Sequence, residues 1–263
     1  MSYQGKFITV REEGKVGIVE IAKGKANTYD LPMMREFDEA IEEVRFNDSI
    51  AVAVLTSKLP GFFSAGADIE MLRASEPDYK AMFCLHCQET LLKMEATPKI
   101  FIAALSGHCV GGGLEIALAT DLRMMADDPK LKIGLPEVTL GVLPGTGGTQ
   151  RLPRLINKSL ALEMMVTGRT LSPKEALQVG LVNYLYPPET FLKDVLAYAH
   201  KLSEGPVRAI GLIKRSVQEG LEAPLAVGLA LERELQNRLF VTQDAKEGLS
   251  AFLEKRKPTF HGR

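Results

Sequence analysis

Two apolar, β-branched segments most constrain how this chain can fold: "SIAVAVLTS", which begins at Ser49, and "KIFIAALSG", which begins at Lys99. Unbroken runs of this kind are typical of strands buried on both faces of a sheet. Helical stretches precede and separate them, one predicted to start at Asp30 with Pro32 in its first turn and one predicted to be capped by Ser75. The alternation predicts an α/β protein with an at least partly parallel sheet.

The two ends of the chain have different patterns. Near the N-terminus, "FITVREEGKVGIVEIA" predicts two strands joined by a turn at Glu-Gly-Lys, whereas almost every segment after Lys158 has helical spacing broken by Gly and Pro. A chain of 263 residues can bury one large core. We therefore predict a core domain over residues 1–200 and a C-terminal helical region over residues 201–263.

Charge and cysteine content narrow the classes of function. The 32 basic and 33 acidic residues give a net charge of −1, so there is no electrostatic reason to expect nucleic acid or an anionic membrane as a partner. Three cysteines are too few and too odd in number for a disulfide framework, which favours a reducing compartment. We expect a cytoplasmic protein without a signal peptide or a membrane span.

The run Gly111, Gly112 and Gly113 lies between a predicted strand and a predicted helix. It does not have the spacing of a dinucleotide or phosphate loop. A helix that opens at about Gly113 leaves backbone amides free at its first turn, and such amides can stabilise a developing oxyanion. Ala67, in the small-residue turn of "FFSAGADIEML", could supply a second amide; tight packing turns are the plainer interpretation of each stretch alone.

Two glutamates accompany these turns. Glu115 falls in the first helical turn after the glycines, where the helix dipole alone could explain it. Glu137 stands between Pro136 and a Gly/Pro-rich loop, where a carboxylate has little structural reason to be. Paired carboxylates beside an oxyanion hole suit proton transfer next to a carbonyl group.

Other groups of residues do not predict a metal site or a nucleophilic catalyst. The residues Cys84, His86, Cys87, His108 and Cys109 include the ligand types of zinc, but the first three fall within one helical pattern without a second Cys pair. There is no Gly-x-Ser-x-Gly elbow for a nucleophilic serine. We expect no metal site and no separate cofactor.

Four segments in order, "SAGADIEML", "GHCVGGGLEIALATDLR", "LPEVTLGVLPGTGGTQRLPRLI" and "AKEGLSAFLEKRKPTF", resemble the enoyl-coenzyme A hydratase/isomerase, or crotonase, family. The resemblance runs from about residue 7 to the C-terminus. It implies a spiral of ββα units and a C-terminal helical region that mediates trimerisation, usually as a dimer of trimers. It also implies an acyl-coenzyme A substrate.

By position, the resemblance assigns the oxyanion-hole amides to Ala67 and Gly112. Both Glu115 and Glu137 match the acids of the hydratases, in which one activates water for attack at C3 and the other protonates C2. This implies an enoyl-CoA hydratase. The alternatives are other enolate reactions on acyl-CoA, such as Δ3-Δ2 isomerisation, decarboxylation or hydration of a cyclic dienoyl thioester.

The resemblance further implies a coenzyme-binding surface. Its residues would be Lys25, Ala26, Asn27, Ala65, Asp68, Ile69, Gly111 and Lys255. Glu70 departs from the pattern, because many hydratases have a lysine there. One family member binds AU-rich RNA, but the near-neutral charge and scattered lysines of this chain argue against that function.

Overall fold

The computed structural model describes residues 2–262, which form an α/β fold around one seven-stranded sheet. Its strands, in spatial order, are β1 (Tyr3–Gln4), β2 (Ile8–Glu13), β3 (Val16–Ile21), β4 (Val52–Ser57), β6 (Ile100–Leu105), β8 (Leu122–Ala126) and β11 (Tyr184–Tyr186). The pairs from β3 to β11 are parallel, and β1 to β3 are antiparallel. The predicted N-terminal strand pair and the partly parallel sheet are confirmed.

A second, four-stranded sheet lies beside the first. It consists of the short strands β10 (Thr170–Leu171), β9 (Ile133–Gly134), β7 (His108–Val110) and β5 (Phe62–Ser64), in that order. This sheet is not predictable from the sequence, because strands of two or three residues are too short to show a hydrophobic period. This sheet matters for function because β5 and β7 end next to the two small-residue turns.

Eleven α-helices occur in residues 2–262. They are α1 (Leu31–Phe46), α2 (Ile69–Ala74), α3 (Pro77–Ala96), α4 (Gly112–Leu118), α5 (Gly148–Leu155), α6 (Lys158–Thr167), α7 (Pro173–Gln178), α8 (Phe191–Ser203), α9 (Val207–Leu221), α10 (Leu225–Phe240) and α11 (Gln243–Leu253). Asp30 caps α1 by accepting a hydrogen bond from the Met33 amide, as predicted. The prediction for Ser75 is wrong, because Ser75 ends α2 and bonds back to the Met71 carbonyl, while Glu76 precedes α3.

The predicted division at residue 200 falls inside α8, which packs against the large sheet. The helices that follow, α9 to α11, leave large apolar side chains exposed. The domain division therefore stays a prediction. No helix within residues 2–262 is long and apolar enough to cross a membrane.

A buried ion pair fastens α9 to the core. The Lys214 ammonium lies 2.9 Å from the Asp121 carboxylate and donates to the main-chain carbonyls of Met94 and Lys99. Burial lowers the pKa of Lys214 and raises that of Asp121, while the attraction between the two charges opposes both shifts. Because both charges are desolvated, removing either partner leaves the other as an uncompensated buried charge, which is destabilising.

Lys214→Met is expected to lower the free energy of unfolding by about 3–5 kcal/mol, since it strands the Asp121 charge in the interior. Urea unfolding followed by circular dichroism measures the loss. The matched control is Arg154→Ala, which breaks an exposed pair with Glu222 at 3.6 Å and should change stability by less than about 1 kcal/mol. Equal effects of the two substitutions would contradict a structural role for Lys214.

Candidate active site

The Glu115 carboxylate is fixed at the junction of two helix N-termini. The residue is 2% exposed in the first turn of α4. Its Oε1 accepts hydrogen bonds from the amides of Thr146 and Gly148, at 2.7 and 2.6 Å. Burial raises the pKa of Glu115, and the hydrogen bonds from Gly148 and Thr146 oppose that rise because they favour the ionised form. The carboxylate is thus oriented as a hydrogen-bond acceptor.

Glu137 differs from Glu115 in its surroundings. It begins the short 3-10 turn Glu137–Leu140, and both of its carboxyl oxygens are buried without a hydrogen-bond partner among residues 2–262. Burial, with a smaller contribution from the charge of Glu115, raises the pKa of Glu137 to about 7. A Cβ atom at Gly111 would lie 3.3 Å from its Oε1, which places Glu137 against the start of α4. Near neutral pH it can therefore act as a proton donor.

Two unpaired amides lie at the same place. Tyr29 donates to the Gly66 carbonyl and accepts from the Asp68 amide, both at 2.9 Å, so this bridge leaves out the amide of Ala67 between them. Within residues 2–262, neither that amide nor the Gly112 amide has an acceptor. A Cβ atom at Gly66 would lie 2.8 Å from the Gly112 nitrogen, so the two turns are in contact. Free amides on touching loops can receive an oxyanion.

Close packing also requires glycine at positions 112 and 113. A Cβ atom at Gly112 would overlap the Tyr29 hydroxyl and lie 2.6 Å from its Cζ, and one at Gly113 would overlap the Ser64 carbonyl. From the sequence alone, tight packing and a ligand-binding turn are alternative explanations of these glycines. In the structure, the close packing is what brings the amides together.

Comparisons with known proteins show the family of this chain. The model of the enoyl-CoA hydratase/isomerase family matches residues 11–263. A putative enoyl-CoA hydratase/isomerase of Bacillus subtilis is 38% identical, with 97% of this chain and 98% of that protein aligned. The chain belongs to the enoyl-CoA hydratase/isomerase family.

Two further relatives support the assignment of this chain to the hydratase/isomerase family. A short-chain-enoyl-CoA hydratase of Clostridium acetobutylicum is 33% identical over 95% of both chains. The crystal structure of an enoyl-CoA hydratase of Geobacillus kaustophilus superposes with a TM-score of 0.97 at 50% identity, covering 99% of this chain and 98% of the other. The predicted crotonase-type α/β fold is confirmed, and the protein is an enzyme of this family.

Most residues predicted to bind the coenzyme lie on neighbouring loops of this hydratase/isomerase. The Ala65 amide donates to the Ala26 carbonyl at 2.9 Å, which joins the loop of Lys25 to the loop that leads to Ala67. Asp68 caps α2 by accepting from the Met71 amide, and Ile69 is half exposed. The role of these positions in coenzyme binding stays a prediction.

Two of the residues predicted to contact the coenzyme differ from the others in their surroundings. The fully buried Asn27 side chain accepts from the Lys23 amide and donates to Ser57 and to the Phe63 carbonyl. It shapes the loop, and these contacts do not support a direct role in binding. Lys255 is exposed after α11, and no hydrogen bond or ion pair in residues 2–262 connects it to the other predicted positions.

The candidate zinc ligands are not assembled. Cys84, His86 and Cys87 lie on α3, whereas His108 and Cys109 lie on β7, and all three thiols are free. No group of three or more potential ligands in residues 2–262 is arranged to hold a metal ion.

Sequence reasoning missed the support around Glu115. Thr146 and Gly148 belong to "LPGTGGTQR", where glycines before a helix leave amides for a nearby carboxylate. Tyr29 carried no signal at all. It is a single aromatic residue between a loop and a helix, and its role depends on contacts with distant parts of the chain.

Glu137→Gln is expected to raise the melting temperature by a few degrees at pH 8 and by almost nothing at pH 4.5. Burial disfavours the ionised form of Glu137, so the fold keeps its full stability only while Glu137 is protonated. That stability is lost as the pH rises through the folded-state pKa of about 7, whereas glutamine cannot ionise and keeps it. Thermal unfolding across pH 4.5–8 measures the difference. Glu189→Gln, which removes an exposed carboxylate, is the control. A difference that does not change with pH would refute the assignment.

Proposed function

We propose that the enzyme hydrates the 2,3-double bond of a 2-enoyl-CoA thioester to give a 3-hydroxyacyl-CoA. The observation that carries this proposal is that two buried carboxylates lie beside two free amides. One carboxylate accepts two hydrogen bonds, and the other accepts none from residues 2–262. Hydration needs a base for water, an acid for carbon and a site for enolate charge. The three requirements correspond to Glu115, Glu137 and the amide pair of Ala67 and Gly112.

The proposed reaction follows from the different hydrogen bonding of the two acids. Glu115, held by two amides, takes a proton from water as the water oxygen bonds to C3. The π electrons move toward the thioester oxygen, where the amides stabilise the enolate. The enolate then returns its electrons to C2, which takes the proton of Glu137. A C3–O bond and a C2–H bond form, the π bond breaks, and proton exchange with solvent resets both acids.

The presence of two acids favours hydration over isomerisation. Moving a double bond from C3 to C2 needs only one group to carry a proton between carbons, and a second buried carboxylate would then add a desolvation cost without a chemical role. Other enolate reactions of the family remain the competing proposal. Identifying the product by mass spectrometry separates them, because only hydration adds the mass of water.

The substrate proposal is a short-chain enoyl thioester. The relative from Clostridium acetobutylicum carries the name short-chain-enoyl-CoA hydratase. The coenzyme part would lie along the loops of Lys25, Ala26 and Ala65, near Asp68, Ile69 and Gly111, with Lys255 near the phosphates. Coenzyme A would be part of the substrate, so no further cofactor enters the reaction.

We also infer a homotrimer or a dimer of trimers in a reducing, cytoplasmic setting. Support comes from the C-terminal helical region, where Leu221, Leu225, Val241, Phe252 and Leu253 are each at least 75% exposed. Such an apolar surface is stabilised by burial against another copy of the chain. Light scattering at several concentrations tests the stoichiometry.

The decisive experiment follows the absorbance of crotonyl-CoA after enzyme is added, because hydration removes the conjugated enoyl group. Loss of absorbance together with 3-hydroxybutyryl-CoA as product supports the proposal. An enzyme that is folded but leaves crotonyl-CoA and longer 2-enoyl thioesters unchanged would overturn it.

A further inference from the structure

Tyr29 contacts both amide loops and the loop that holds Glu115. It lies in the loop between β3 and α1, one residue before the capping Asp30, and is 1% exposed. Its main chain bonds to both neighbours of Ala67, its ring fills the space beside the Gly112 Cα, and its hydroxyl lies 3.1 Å from the Thr146 hydroxyl. One residue therefore joins the two amide loops to the loop that holds Glu115.

We propose that Tyr29 is a positioning residue that sets the geometry between the two amides and the Glu115 carboxylate. The inference rests on the proposed function for its chemistry and on these contacts for its geometry.

The ring and the main chain act on the amides. The Tyr29 main chain holds the Ala67 segment in a parallel bridge. Its ring packs against the first residue of α4 on one side and lies 6.0 Å, centroid to centroid, from the buried Phe83 ring of α3. A ring held between two helices cannot shift by much, because protein interiors are packed at crystal density.

The hydroxyl acts on Glu115 through Thr146. The Thr146 amide donates to Glu115, and the Thr146 hydroxyl is among the groups that lower the pKa of that carboxyl. Burial keeps the pKa of Tyr29 well above its usual value, so its hydroxyl stays protonated and available for hydrogen bonding. Tyr29 and Thr146 are both buried, so without this bond each hydroxyl would have to find a new partner.

The test separates the hydroxyl from the ring. Tyr29→Phe removes only the hydroxyl and is expected to lower kcat for crotonyl-CoA about 10-fold with KM within about twofold, since the amides keep their ring contact. Thr146→Val removes the same bond, so the double variant should lose no more than about twofold beyond the stronger single variant. The control is Tyr3→Phe, because Tyr3 lies on the edge strand β1 and its hydroxyl donates to Glu39 of α1. This variant should match the wild type.

Two results would overturn the proposal. One is a kcat of Tyr29→Phe within twofold of the wild type, and the other is a double variant whose loss equals the product of the two single losses. Either would show that the hydroxyl does not act through Thr146.

A second probe keeps this proposal independent of hydration. Acetoacetyl-CoA forms an enolate with near-ultraviolet absorbance, and two well-placed amides should increase the enolate fraction of the bound thioester. We expect the signal to persist in Tyr29→Phe and to fall at least fivefold in Tyr29→Leu, which lacks the ring. Equal signals in the wild type and Tyr29→Leu would overturn the role of the ring. A wild type that binds acetoacetyl-CoA as its enolate without hydrating any enoyl thioester would refute the proposed function alone.

Discussion

Glu115→Gln is expected to lower kcat/KM for crotonyl-CoA hydration by about 10²- to 10⁴-fold. Glutamine has nearly the same shape, and its carbonyl oxygen can still accept from the Thr146 and Gly148 amides, so the loop should stay in place. What the variant loses is the ability to take a proton from water. Initial rates from enoyl absorbance, with circular dichroism to verify folding, measure the effect.

The matched control is Glu89→Gln, which removes a carboxylate from the exposed face of α3. It should keep the wild-type rate and the wild-type melting temperature. A Glu115→Gln variant with more than about a tenth of the wild-type rate would exclude Glu115 as the base.

Gly112→Ala is expected to lower kcat/KM by about 10²- to 10³-fold, the loss typical of displacing one oxyanion donor. The added methyl group would overlap the Tyr29 hydroxyl, so either the start of α4 or the tyrosine ring must move. Movement of α4 changes the direction of the Gly112 amide, and movement of the ring removes the packing that holds this amide in place. The melting temperature should fall as well, because overpacking a buried position costs about 1–3 kcal/mol.

Gly220→Ala provides the comparison, since a Cβ atom in that α9 position would meet its nearest neighbour at an ordinary 3.7 Å. It should leave the rate unchanged and slightly raise stability, as alanine favours the helix. The double variant Gly112→Ala with Tyr29→Leu should recover part of the lost stability without recovering activity. Full activity in Gly112→Ala alone would show that the amide position is not critical.

The sequence predicted the large elements because their patterns are long. Strands β4 and β6 each have five buried residues out of six, and α1 has a capping aspartate and a proline at its start, so local propensity and burial agree. The misplaced cap at Ser75 shows the limit of such signals. Ser75 lies between two helices, and its hydroxyl bonds to the helix behind it instead of the helix ahead.

The candidate site was predicted unevenly for a similar reason. Glu115, Glu137, Ala67 and Gly112 stand in distinctive short motifs, and family resemblance identified them together. The state of each acid could not be predicted, because the two glutamates are chemically identical and differ only in neighbours that are distant in sequence. Thr146 lies 31 residues beyond Glu115 along the chain.

By itself, the sequence determined the α/β class, the family and the four residues on which the chemistry is proposed to depend, since these follow from local periodicity and motif order. Only the tertiary structure decided that Glu115 is held by two amides, that the Glu137 carboxyl accepts no hydrogen bond from residues 2–262, and that Tyr29 joins both amide loops to Thr146. Protonation and positioning depend on burial and on hydrogen bonds across the fold, and no local stretch of sequence specifies either.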